Sequence, residues 1–405
     1  MSDTVARRKH GLGQAEFIAM MSMVTATIAL SIDTLLPAFD ELEQSFGLSV
    51  GESSVSLTVT VFFLSLATGL MVYGPLADRY GRKPVMYGSF ALFIFGAFIS
   101  TIASSFGVFL IGRAIWGFGA AGPRTIAIAI TRDCYSGDLM ARIMSFTAAV
   151  FLIVPVLAPA LGEGLLALGD WRLITGTAMA LGAAAALWFS RINETLVPES
   201  MIPLEPKRFL LGAKAVLTNR QTALYTLAGT MAYGAFFPWL GSSIRMIETI
   251  YGRDGQFAWF FGLNAIFMAA AVLTTARAVT LFGTYRVALW LSLAIVGVAI
   301  VFVVPASSDG GISFWIFFAL AALLTSLNTS STALFQTLSM EPMGELAGTA
   351  ASITGFLIFA PGAILGALVD RAIDTDVLPF GLAFLIYGSV GLAAVILARP
   401  TTVTS

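Results

Sequence analysis

Apolar residues run along this chain in blocks of about 20, the length a helix needs to cross a bilayer, and charge, proline or glycine clusters break the blocks. The blocks are Phe17–Leu36, Val55–Leu76, Val85–Ile102, Phe109–Ile130, Ile143–Leu168 and Leu173–Phe189. After a polar stretch they resume as Thr222–Ile244, Phe257–Ala276, Val287–Pro305, Ile312–Leu338, Leu346–Leu368 and Val377–Leu397. The pattern predicts an all-α membrane protein with twelve transmembrane helices in two six-helix halves, residues 1–192 and 221–405. Between them, residues 193–220 read as a linker, with Pro198, Pro203 and Pro206 beside Lys207, Arg208 and Lys214. Met1 to Gly13 is polar and basic, and the block after it is too long for a signal-peptide core and lacks a cleavage site. It is expected to remain as the first span.

Composition agrees with a bilayer solvent. Of 405 residues, 58% are hydrophobic and 11% charged, against about 25% charged in soluble domains. The 39 glycines suit helices that pack closely in lipid. A net charge of −1 gives no reason to expect nucleic acid as a partner. One cysteine, Cys134, and one histidine, His10, exclude a disulfide framework and a clustered Cys/His metal site. Charge is instead distributed between loops. Of the 22 Lys and Arg, Arg113 and Arg124 fall within spans, Arg172, Arg245, Arg253 and Arg371 fall on one side, and all the rest on the other. Because cytoplasmic loops are enriched in Lys and Arg, both termini are expected in the cytoplasm.

After the second span the sequence reads Gly74-Pro75-Leu76-Ala77-Asp78-Arg79-Tyr80-Gly81-Arg82-Lys83. It resembles the signature loop of the major facilitator superfamily, G-x-L-A-D-R-x-G-R-K, in the place where that family carries it. In the fourth span, Arg113 is followed four residues later by Gly117, similar to the pattern of proton-coupled members. Ala158-Pro159-Ala160-Leu161-Gly162 resembles a degenerate form of the G-P-x-x-G-G element of antiporters, and Asp33-Thr34-Leu35-Leu36-Pro37 resembles the D-x-x-L-P of bicyclomycin and chloramphenicol exporters. The loop after the eighth span keeps Gly283 and Arg286 as a faint internal repeat. The resemblance implies the major facilitator fold, with a substrate site between halves at the bilayer midplane. It also implies that Gly74, Asp78, Arg79, Gly81 and Arg82, with Pro159 and Gly162, serve conformational change. In the family the Asp78 carboxylate faces the start of the eleventh helix, where free N–H groups favour an anion. Here that start is preceded by Glu341 and Glu345, to which Arg79 and Arg82 are expected to pair as a latch.

Charges inside spans are costly and usually functional. Asp33 lies five residues from the external end of the first span if that end is Ala38, and Arg113 six residues from the external start of the fourth if that start is Gly107. At about 1.5 Å per residue, both lie about 7 to 9 Å below one surface. In the superfamily these spans are neighbours, so the resemblance implies a shared site in which Asp33 carries a proton and Arg113 modulates it. A structural ion pair is the alternative. Pro37 removes the N–H that would bond the Asp33 carbonyl and opens the backbone there. Arg124, about three turns after Arg113 and beyond an expected break at Gly122-Pro123, either lines the cavity or reaches headgroups or Asp133. Glu163 reads as a hydrated span end or a proton-path residue. Tyr233, Phe236, Phe237, Pro238 and Trp239 form an aromatic cluster with an expected helix break; Tyr233 and Phe237 read as a pocket wall or as interface anchors. Ser326, Asn328, Thr329 and Ser330 read as helix-packing glue.

The expected function is proton-driven export of small lipophilic molecules across the bacterial inner membrane, by a drug:proton antiporter-like carrier whose substrate contacts include Asp33, Arg113, Arg124, Tyr233 and Phe237. A proton symporter for a small organic acid and a non-transporting scaffold or sensor are the rivals. No motif for nucleotide hydrolysis is present. No enzymatic activity or cofactor is expected; the expected partners are a small molecule, protons and lipid, and the expected state is a monomer.

Overall fold

Each apolar block becomes a helix, because a chain segment in lipid must satisfy its backbone internally. The computed structural model describes residues 10–48, 55–197, 201, 206–308 and 311–398. In it α1 (Gln14–Asp33) gives way to a 3-10 turn (Leu36–Ala38) and α2 (Phe39–Phe46), followed by α3 (Leu57–Tyr80), α4 (Arg82–Thr101), α5 (Phe106–Cys134), α6 (Gly137–Leu166) and α7 (Trp171–Phe189). The region read as a linker contains α8 (Pro206–Thr218). Then come α9 (Arg220–Ile244), extended by a π-helical turn (Arg245–Ile250), α10 (Phe257–Phe282), α11 (Thr284–Ala306), α12 (Phe314–Met340), a 3-10 stretch (Glu341–Leu346), α13 (Ala347–Asp370) and α14 (Leu378–Leu397).

Eleven described helices are long and apolar enough to cross a membrane. The remaining long helix, α9, is diluted by threonine, glycine and serine. It packs against α12, α13 and α14, and a helix enclosed by protein needs little lipid-facing surface.

The chain divides into two compact units. One holds the described residues of Met1–Leu48 and Val61–Pro206, the other those of Ser49–Thr60 and Lys207–Ser405. In the first, α4 packs most extensively on α5, with backbones nearly touching: a Cβ on Gly96 would stand 2.3 Å from the Trp116 nitrogen, and one on Gly119 2.3 Å from the Phe93 nitrogen. Small residues at such seams let dispersion contacts hold helices together in lipid. In the second, α9 packs most extensively on α13.

Three expected breaks are helical instead. Gly74 to Tyr80 continues α3, so the signature loop reduces to a turn at Gly81. Pro123 lies inside α5 and Pro238 inside α9. Proline is tolerated in membrane helices because neighbours re-satisfy the one carbonyl it releases.

Candidate functional site

Arg113 is fully buried in α5. Its Nη1 donates to the Ser31 carbonyl of α1 at 2.9 Å, and its guanidinium lies 4.4 Å from the centroid of the Phe62 ring and 4.9 Å from that of Trp116. Two aromatic faces and a carbonyl therefore hold this charge, an arrangement suited to the planar guanidinium. The structural ion pair with Asp33, the alternative to a shared functional site, is not formed. Asp33, two residues along α1 from Ser31, is buried, and among the described residues no hydrogen bond or ion pair reaches its carboxylate. The reason lies in the register: the Arg113 side chain meets α1 at Ser31, half a turn before the acid.

Helix α1 ends at Asp33 and the chain turns at Pro37. Gly162 of α6 makes room for this turn, since a Cβ there would stand 2.2 Å from the Thr34 carbonyl oxygen and 3.2 Å from Pro37. Pro159, one turn earlier, is buried in α6. The site thus joins α1, α5 and α6 around the Asp33 carboxyl group. Arg124 is half-buried on α5. Asp133, read from the sequence as one alternative partner for it, accepts from Arg82 Nε at 2.9 Å.

At the Gly81 turn, Arg82 also donates to Asp78 at 2.5 Å. Arg82 was expected to face Glu341 and Glu345; the acids it pairs with, Asp78 one turn before it on α3 and Asp133 near the end of α5, belong to its own unit. Glu341 accepts from Gln221 at 3.0 Å, and the Glu345 side chain lies outside the described residues. Gly74 is half-buried and Arg79 exposed. Glu194 caps α4, accepting the N–H groups of Arg82 at 3.0 Å and Lys83 at 2.9 Å, while Lys83 Nζ donates to the Ser190 and Ile192 carbonyls beyond α7. A carboxylate at one helix start and an ammonium at another helix end both match the helix dipole.

In the second unit Tyr233 and Phe237 meet Phe359 of α13, with ring centroids 4.4 Å and 6.5 Å away. Phe237 is buried against Gly366, and Trp239 stacks on Phe261. Asn328 donates to the Ala232 carbonyl at 3.1 Å, joining α12 to α9. A cavity of about 430 Å³ opens beside α9 and α13, lined among others by Thr226, Thr230, Met231, Leu357, Pro361 and Ile364. Its two threonines donate to the Thr222, Thr226 and Leu357 carbonyls, so it presents mainly carbon. Tyr233 and Phe237 are not among its lining residues.

The family model described as Major Facilitator Superfamily matches residues 21–367. The chain belongs to the Major Facilitator Superfamily. A bicyclomycin resistance protein homolog of Haemophilus influenzae is 29% identical over 356 residues, covering 87% of this chain and 88% of that protein. Multidrug resistance protein MdtL of Klebsiella pneumoniae is 27% identical over 256 residues, 62% of this chain and 63% of the relative. A crystallised D-xylose-proton symporter superposes with a TM-score of 0.71 over 95% of this chain and 97% of its own, at 14% identity, and shares the fold.

For this major facilitator transporter, sequence reasoning missed Glu194, Phe359 and Asp370. Glu194 falls at the start of the region read as a linker, and nothing local announces a cap 112 residues away. Phe359 is one apolar residue among many. Asp370 had a signal: an acid two residues beyond the eleventh apolar block belongs to the last turn of that helix once the helix is allowed to continue.

Proposed function

We propose that this transporter exports small lipophilic molecules across the bacterial inner membrane in exchange for protons, by alternating access, with both termini in the cytoplasm and the monomer as working unit. The observation that carries the reading is Asp33: a buried carboxyl group at a helix break, without an ionic partner among the described residues, beside an arginine anchored elsewhere. A carboxyl group not committed to an ion pair is available to bind and release a proton, and intramembrane ionisable residues are functional by default. The carbon-lined cavity suits a lipophilic ligand. Relatives named for resistance to bicyclomycin and to multiple drugs support export. The proton gradient supplies the energy, and no cofactor enters the scheme.

Flux in everted vesicles tests this, with bicyclomycin, chloramphenicol and a set of organic acids, each with and without a pH gradient. Gradient-driven accumulation of an antibiotic supports export by exchange. Accumulation of none of these antibiotics, with an organic acid moving along with protons, supports the second reading, a symporter. Arg113 and half-buried Arg124 on one helix favour that alternative.

A further inference from the structure

A second carboxyl group, in the other unit, takes no part in the scheme above. Asp370 closes α13 and is 2% exposed. Ser242, near the end of α9, donates to its Oδ1 at 2.5 Å. Gly241 leaves space for Oδ2: a Cβ there would stand 2.6 Å from that oxygen. No donor among the described residues reaches Oδ2. Around the group, Arg245 beyond α9 acts on it electrostatically, while donating to the Ile373 carbonyl at 3.2 Å. Helices α12 and α14 carry no Asp, Glu, Lys or Arg, and Tyr387 of α14 donates to the Leu365 carbonyl. Arg371, Asp374 and Asp376 follow on the exposed turn.

The placement parallels that of Asp33. In the first unit, the first long helix (α1) ends in the acid, and a glycine of the fifth (α6) packs on the residue after it. In the second unit the roles are exchanged: the fifth long helix (α13) ends in the acid, and a glycine of the first (α9) packs on it. Each unit thus sets one buried carboxyl group where its first and fifth long helices meet. Glycine at the contact and a serine on one oxygen hold Asp370 in place without an ion pair to its carboxylate.

We propose that Asp370 is a second proton-binding site of this transporter, with Ser242 as its positioning residue. The proton binds Oδ2, the oxygen that no donor reaches, from water at the exposed turn after α13, and returns to it. Ser242 holds Oδ1 throughout, and Arg245 balances the carboxylate form. The proposal deepens the antiport reading and rests on it for the use made of the proton.

Infrared difference spectra between mildly acidic and alkaline buffer test the site without substrate, on the full chain in liposomes, through the C=O stretch of protonated carboxyl groups. One band is expected to be lost in Asp370→Asn, kept in Asp33→Asn, and moved to higher frequency at unchanged intensity in Ser242→Ala, where the C=O loses its hydroxyl partner. A spectrum unchanged in Asp370→Asn overturns the proposal; so does a Ser242→Ala spectrum in which no band moves, the arm that decides if Asp370→Asn fails to fold. Loss of a different band in Asp33→Asn supports the antiport reading, and its absence counts against Asp33 alone.

Discussion

The two units turn the chain in the same way at equivalent places and differ in everything attached to the turn. Gly81, before α4, has φ 98° and ψ 156°; Gly283, before α11, has φ 80° and ψ 153°. That region is essentially closed to residues with a Cβ. At Gly81 a Cβ would also meet the Glu194 carboxylate at 2.7 Å, whereas at Gly283 nothing lies within 4 Å. Asp78, Arg82, Asp133 and Glu194 surround the first turn, and the second carries no such network among the described residues. The turn therefore belongs to the repeated architecture, and the charges do a job that the fold itself does not require. Inside the spans the contrast recurs. The first unit places Asp33 and Arg113 there, while the second places aromatic rings, Asn264, Thr325 and Asn328, with a buried acid, Asp370, at the end of α13.

The largest effect expected is at Asp33. Asp33→Asn keeps the shape but cannot cycle a proton, so gradient-driven flux in vesicles is lost, whereas Asn328→Ala loses one hydrogen bond, about 1 kcal/mol, and keeps its coupling. The opposite pattern would erase the division of labour between the units. Next comes Arg113→Lys. An ammonium cannot bond the Ser31 carbonyl and lie flat on two rings at once, and the loss of two desolvated cation–π contacts costs on the order of 3 kcal/mol. Thermal unfolding followed by tryptophan fluorescence reads this; a midpoint equal to that of the wild type refutes the anchoring role.

Two alanine substitutions sharpen the comparison of the turns. Gly283→Ala is expected to cost about 1 kcal/mol from backbone strain, and Gly81→Ala about 2 kcal/mol because it also displaces the Glu194 cap. Equal midpoint shifts would mean that Glu194 is not seated on α4 in solution. The smallest effect is that of Asp78→Asn. Its side chain is 42% exposed, so its pairing with Arg82 contributes only ~0.5 kcal/mol to stability. Arg82→Ala costs more, since Asp78 and Asp133 both lose a salt bridge to it. If the turn serves as a latch, Asp78→Asn slows turnover while leaving substrate affinity near that of the wild type. Labelling of single vestibule cysteines, in a background with Cys134 replaced, shows whether the balance of open states has moved.

Much of the fold is legible residue by residue. The apolar blocks overlap the helices, and Gly283 marks the repeat of the Gly81 turn. The departures share a cause: proline and glycine punctuate helices in water, but inside α3, α5 and α9 the surroundings keep the helix intact. Of the candidate site, the buried acid and the buried arginine were both visible as charges in apolar blocks, whereas their lack of a mutual bond was not.

The sequence by itself determined that this chain lives in lipid and where its apolar helices lie, because transfer from water to lipid is a property each residue carries wherever it is placed; its family resemblance rested on the motif from Gly74 to Lys83. Only the tertiary structure decided partnerships: Arg113 to a carbonyl 82 residues away, the α4 N-terminus to Glu194 across 112, and Ser242 to Asp370 across 128. A hydrogen bond exists only within about 3.5 Å, and packing, through glycines at helix seams and the register of one helix on another, sets which distant atoms come that close.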